Sequence, residues 1–196
     1  MERGLFIVFE GIDGSGKSSC MGAVASEVKK TRETVMTAEP TEGEIGMLIR
    51  SSPDLTAEAE AMLFTADRAI HTNEIKEWVA AGKTVLCDRY YASTIAYQSA
   101  DLNGRSADAD WLKEMNDKVT IEPDLTLLFD IDPEKGMVRV ESRGEKSKFE
   151  RVEYLKEVRA NYLKIAKERN FKVIDASGPK DKVFEDVMKH VKKVMS

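Results

Sequence analysis

Eight residues constrain this chain more than any others. Gly11-Ile12-Asp13-Gly14-Ser15-Gly16-Lys17-Ser18 satisfies the pattern G-x-x-x-x-G-K-[ST] at every fixed position. Before it, Leu5-Phe6-Ile7-Val8-Phe9 is apolar and rich in aromatic and β-branched residues, which predicts a buried strand. After it, from Lys17 to about Lys30, Met21, Val24, Ala25 and Val28 share one helix face, with no Gly or Pro beyond Gly22. Strand, glycine loop and helix in that order make a phosphate-binding unit. Glycines let the backbone curl until successive N–H groups converge on an anion. The unpaired N–H groups and positive dipole end of the helix add to that nest. Lys17 is then placed for the terminal phosphates, and Ser18 for the magnesium that travels with the nucleotide. The plain alternative is a chance glycine turn before a helix, and the flanking strand and helix argue against it.

The remaining chain alternates strands and helices. Strands are predicted at Glu33–Ala38, Thr84–Cys87, Leu125–Asp130 and Phe171–Ile174. Between them come a short helix at Ile45–Arg50 broken by Ser51-Ser52-Pro53, and a long one from Ala57 to about Ala80 with Thr56 as its cap. Further helices are read at Ala92–Ala100, Asp110–Lys118, Pro133 to about Glu141, about Glu150 to Arg169, and Lys180–Val194. The residues Ser142–Lys148 are polar and are expected to form a connection. Such alternation predicts a parallel sheet covered on both faces. In such sheets ligands bind beyond the carboxyl ends of the strands. The loops 11–18, 39–43, 88–91 and 175–179 all fall at that edge, which argues for one site.

At 196 residues without repeat, low-complexity segment or linker, one domain is expected. A net charge of −5 argues against a broad basic face for nucleic acid. No apolar run is long enough for a bilayer, and the chain enters its first strand too soon for a signal peptide. Cys20 and Cys87 lack metal-type spacing and are read as buried, reduced thiols of a cytoplasmic protein.

Three groups beyond the loop are candidates for chemistry. Asp88-Arg89 ends an apolar strand, where an acid can hold magnesium through water and Arg89 can take a second phosphate. The plain reading there is a surface ion pair. Phe64 and Arg68 are four apart and share a helix face. They could grip a planar base, but spacing alone favours Phe64 in the core and Arg68 snorkelling. Arg139, Arg143, Lys146, Lys148 and Arg151 make the stretch 139–151 basic, suiting either a lid over a transferring phosphate or a solvated loop. His71 and His190 are read as surface or structural residues, and Asp132 as a helix cap.

Six blocks in order resemble the thymidylate (dTMP) kinases: Phe9–Ser18, Thr37–Thr41, Leu63–Arg68, Asp88–Gln98, Phe129–Pro133 and Lys148–Glu150. The resemblance covers essentially the whole chain. Asp88-Arg89-Tyr90 followed by Ser93-Thr94 and Tyr97-Gln98 is its most specific part. It implies transfer of the γ-phosphoryl of ATP to dTMP with Mg2+, on a three-layer α/β phosphate-loop kinase fold whose five parallel strands run 2-3-1-4-5. It also implies a homodimer.

The resemblance implies roles for individual residues. Gly11 to Ser19 would hold ATP, with Arg139 packing against adenine. Phe64 would stack on thymine and Arg68 bond a base carbonyl. Thr94, Tyr97, Gln98 and Glu39 would line the nucleoside pocket. Arg89 would grip the dTMP phosphate with Arg50 helping, and Asp13 would lie near the sugar and metal. Ser18, Asp88 and the lid residue Glu150 would serve the magnesium. Some family members carry a catalytic arginine in the phosphate loop, after the Asp. Gly14 stands there in this chain, so it resembles the other kind, whose lid supplies the charge, with Arg143 as the candidate. Lys148 stands where that lid usually has Arg, which weakens bidentate contact at that point. A kinase for another nucleoside monophosphate and a non-catalytic nucleotide-binding protein remain as alternatives. A GTP switch lacks its Asn-Lys-x-Asp.

Overall fold

A computed structural model describes residues 3–52, 54–140 and 146–196, with the backbone alone for 140 and 146–150. Pro53, Glu141, Ser142, Arg143, Gly144 and Glu145 lie outside the described residues.

The strands are β1 Phe6–Glu10, β2 Thr34–Ala38, β3 Thr84–Asp88, β4 Leu125–Asp130 and β5 Lys172–Asp175. They form a parallel sheet in the order β2-β3-β1-β4-β5, as expected. The central strand is apolar because both its faces are covered: Phe6, Ile7, Val8 and Phe9 are fully buried. Helices α1 Lys17–Val28 and α8 Lys180–Met195 pack together on one face. On the other lie α3 Ala57–Ala80, α4 Tyr91–Gln98, α5 Ala109–Asp117 and α7 Lys146–Glu168. Two shorter helices sit at the margins: α2 Glu44–Ser51 against α3, and α6 Pro133–Val140 against α7. No described helix is long and apolar enough to cross a membrane.

Local chemistry explains the boundaries. Thr56 caps α3 by accepting from Ala59 N–H at 3.2 Å. Asp132 accepts from Glu134 N–H at 2.9 Å and so opens α6, confirming its reading as a cap. Strand β1 runs one residue further than the apolar pattern indicates, because Glu10 is in the sheet and fully buried. The polar connection expected to extend to Lys148 is also shorter. Helix α7 starts at Lys146, since charge without Gly or Pro does not break a helix. The basic stretch therefore contains the end of α6 and the first turns of α7.

Candidate active site

The phosphate loop has the backbone its glycines permit. Gly14 and Gly16 have φ of 79° and 84°, in the left-handed region that side chains avoid. Gly16 faces open space and no side chain caps α1, so the first N–H groups of that helix remain for a ligand. Gly14 is different. A β-carbon there would lie 2.1 Å from the carbonyl oxygen of Gly136 in α6, so the loop and α6 meet backbone to backbone.

Three charged side chains close around this loop. The Lys17 ammonium is buried and lies 3.7 Å from Asp88 Oδ1. Burial and neighbouring Arg89 pull it below the ordinary lysine range, against Asp88, Asp13 and Glu10. Arg89 reaches from the end of β3 to Asp13 Oδ1 at 2.7 Å. Burial pushes the Asp13 carboxyl up, but Arg89, Lys17 and Arg151 outweigh it and hold it below its usual range. Arg151 is 4.0 Å from the other Asp13 oxygen.

Ser18 Oγ donates a hydrogen bond to Asp88 Oδ2. The other Asp88 oxygen is buried without a hydrogen-bond partner. A hydroxyl and an under-bonded carboxylate are hard oxygen ligands, and they fit magnesium held by one or two protein oxygens plus phosphates. Among the described residues no cluster of three or more His, Cys, Asp or Glu makes a protein cage for a metal. The Glu150 side chain, expected to assist, lies outside the described atoms.

Beside the loop, at the carboxyl edge of β2 and β3, is a cavity of about 210 Å³. It is lined by Glu39, Pro40, Glu60, Phe64, Arg68, Arg89, Ser93, Thr94, Tyr97 and Gln98. Phe64 is half-buried on its wall and is not among the residues packed on the hydrophobic core. Arg68 is 1% exposed, so the snorkelling suggested by spacing alone is corrected. Its guanidinium donates to Glu39 Oε2 at 2.8 Å, Asn116 Oδ1 at 2.5 Å, Tyr90 O at 3.2 Å and Thr94 Oγ1 at 3.1 Å. The second Glu39 oxygen lies 2.9 Å from His71 Nδ1, and Thr37 Oγ1 lies 2.7 Å from the other ring nitrogen. His71 is thus a structural residue. Gln98 Nε2 donates to Glu60 at 3.0 Å.

Arg50, expected near the dTMP phosphate, is not in the lining of that cavity, and Arg139 is expected against adenine instead. Arg50 donates to Pro40 O at 2.6 Å and Thr41 O at 2.7 Å, pinning the loop after β2. Arg139 donates to Ala176 O at 3.0 Å, joining α6 to the loop after β5. Arg143 lies outside the described residues. Sequence reading gave no role to Asp67, Glu10 or Tyr162. Asp67 takes the backbone and side-chain donors of Thr41, each at 2.7 Å. Glu10 had a legible signal, an acid inside a buried apolar strand next to the phosphate loop. Tyr162 had none.

A larger cavity, about 330 Å³, opens at the opposite edge of the sheet, near the starts of β4 and β5, where Arg169, Lys172 and His190 line it. The smaller cavity is the stronger candidate because it shares the carboxyl edge with the phosphate loop.

A family model described as "Thymidylate kinase" matches residues 9–187. The chain belongs to the thymidylate kinase family. Curated relatives span nearly its full length. A "Probable thymidylate kinase" of Methanosarcina mazei is 41% identical, covering 96% of each chain. One from Archaeoglobus fulgidus is 40% identical, covering 98% of this chain and 97% of its own. One from Pyrococcus horikoshii is 37% identical, covering 97% of both. The six blocks of thymidylate kinase resemblance therefore reflect family membership, and the protein is a nucleotide kinase of that family.

Proposed function

We propose that the protein transfers the γ-phosphoryl group of ATP to dTMP, giving dTDP and ADP. The observation that carries this reading is the reach of Arg89 from the wall of the Phe64 cavity to the phosphate-loop acid Asp13. It makes donor loop and acceptor pocket one site. Phe64 supplies a ring face for the base, and Arg89 a planar fork for the acceptor phosphate.

The chemistry fits the side chains available. A phosphate monoester has its second pKa near 6, so its attacking oxygen is already ionised at neutral pH and needs no general base. The obstacle is bringing two anions together. Lys17 and the loop N–H groups neutralise the donor, Arg89 neutralises the acceptor, and lid cations of the stretch 139–151 are proposed to cover the transferring group. Arg143 is the candidate among them, within a single phosphate-loop kinase domain. Magnesium, held through Ser18 and Asp88 with Glu150 assisting, would supply further charge neutralisation and orientation of the phosphates.

A homodimer is supported by Met62 and Ile70 on α3 and Met47 and Leu48 on α2, all about half exposed on two helices that pack together. Sedimentation velocity tests it. Cytoplasmic residence is supported by two buried cysteines, both free. The main reading is tested by a coupled ADP-release assay across dTMP, dUMP, dCMP, AMP and GMP. Preference for another monophosphate would move the reading to that substrate. ATP binding without turnover on any would leave a non-catalytic binding protein.

A further inference from the structure

Arg89 occupies a demanding position. Its backbone is left-handed, with φ of 71°, directly after β3. One terminal nitrogen serves Asp13 at 2.7 Å and Tyr97 OH at 3.3 Å. The other donates to Ser93 Oγ at 3.1 Å and Tyr162 OH at 3.3 Å. As acceptors from Arg89, those two hydroxyls must send their own protons elsewhere. Both lie on the same oxygen of Glu10, Ser93 at 2.6 Å and Tyr162 at 3.0 Å, and they lie 2.7 Å from each other, where either can be the donor. The second Glu10 oxygen accepts from Tyr90 N–H at 2.9 Å and Ser93 N–H at 3.3 Å.

Glu10 is fully buried and Tyr162 is 1% exposed. A buried carboxylate is costly unless its oxygens are hydrogen-bonded. Burial pushes this one above its usual range, while Ser93, Arg89, Tyr90 and Tyr162 oppose the shift. Whether the carboxylate takes both hydroxyl protons or one of them through the Ser93–Tyr162 contact at 2.7 Å, the hydroxyls keep lone pairs for the guanidinium. Both of its oxygens face donors, so an amide in the same place would set an NH2 group against at least one of them.

We propose that Glu10 and Tyr162 are positioning residues that hold the Arg89 fork, through Ser93, in the orientation that receives the acceptor's phosphate. The proposal rests on the kinase reading above and names how that site is preorganised. Tyr162 belongs to α7, the helix that begins within the basic stretch, so the brace reaches the pocket from the helix that carries part of that stretch. The bland alternative is ring packing, since Tyr162 stands edge-on to Tyr97 with centroids 6.1 Å apart. Removing the hydroxyl alone separates the two.

The test is a cycle of wild type, Tyr162→Phe, Arg89→Ala and the double variant, assayed with dTMP or whichever monophosphate the wild-type enzyme accepts best. Tyr162→Phe should raise the KM for the monophosphate roughly tenfold, the scale of a hydrogen bond to a charged group, and leave the KM for ATP within about twofold. In the Arg89→Ala background the same change should have almost no further effect. Glu10→Gln should lose at least as much as Tyr162→Phe. If Tyr162→Phe does not fold, Ser93→Ala replaces it in the cycle. Multiplicative losses in the double variant, or a lowered Tm with an unchanged KM, overturn the brace alone. A wild-type protein that phosphorylates no monophosphate overturns the kinase reading and the brace with it.

Discussion

The guanidinium of Arg89 lies 2.7 Å from the carboxylate of Asp13, joining the end of β3 and the wall of the Phe64 cavity to the phosphate loop. Arg89 also sits over the Tyr97 ring, 5.1 Å from its centroid. A cation so held before substrate arrives loses little freedom on binding. On the proposed reading an incoming phosphate competes with Asp13 for it, which would link acceptor capture to the phosphate loop.

Arg89→Ala should therefore weaken binding of dTMP far more than binding of ATP. Hydrogen bonds to charged groups contribute about 1.5–3 kcal/mol, so at least a tenfold loss is expected. Calorimetric titration of each nucleotide into the variant checks it. Equal losses for both would place Arg89 in the donor site or in the fold.

Lys17→Ala should abolish turnover while the protein stays folded. Electrostatic stabilisation of this sort is worth roughly 3–4 kcal/mol, or a factor of several hundred in kcat. The Lys17 ammonium is buried and below the ordinary lysine range, so its removal should not lower Tm appreciably. Near-normal turnover would end the phosphoryl-transfer reading.

Phe64→Ala should raise the KM for dTMP with little effect on ATP. Base–aromatic stacks are worth about 1–3 kcal/mol where measured in nucleic-acid binding proteins. Because Phe64 is not packed on the core, Tm should change little. Early melting with unchanged dTMP affinity would return Phe64 to the core.

Arg143→Ala should cut the single-turnover rate by a factor on the order of 10³, with both dissociation constants nearly unchanged, as for a contact made chiefly in the transition state. Arg143→Lys should recover part of the loss. An unchanged rate moves the role to Arg139, Lys146, Lys148 or Arg151, and unchanged rates in all five exclude a catalytic lid.

The thiols give a test that is independent of substrate. Burial pushes the Cys20 thiol up to about 11 and the Cys87 thiol well above its ordinary range. At pH 8 the native protein should react slowly with a thiol reagent, and denaturant should release both cysteines. Above pH 9 the unfolded chain gives up thiol protons that the fold retains, so alkali lowers stability as pH rises through the folded values. Rapid native labelling at pH 8 would contradict the burial.

Much of this was legible in one dimension. The strand order followed from family resemblance, and the shared ligand edge from alternation alone. Residues whose role depends on depth were harder. Phe64 and Arg68 share a helix face, but spacing cannot say which is buried. Arg68 goes under because its acceptors come from Glu39, Tyr90, Thr94 and Asn116, on three other segments of the chain. Tyr162 meets Glu10 across 152 residues, a separation no local pattern encodes. The start of α7 was hidden for another reason, since a charged run looks alike in a loop and on an exposed helix.

The contact between Gly14 and Gly136 bears on how this enzyme could change over generations. A loop arginine, the alternative used elsewhere in the family, would need a β-carbon 2.1 Å from a backbone oxygen of α6. One codon change at position 14 would thus displace a helix before it could deliver a charge. The two arrangements of catalytic cation are separated in this background by an epistatic barrier. Crossing it requires α6 to withdraw first, while the proposed catalytic role of the basic stretch overlapping its end is kept.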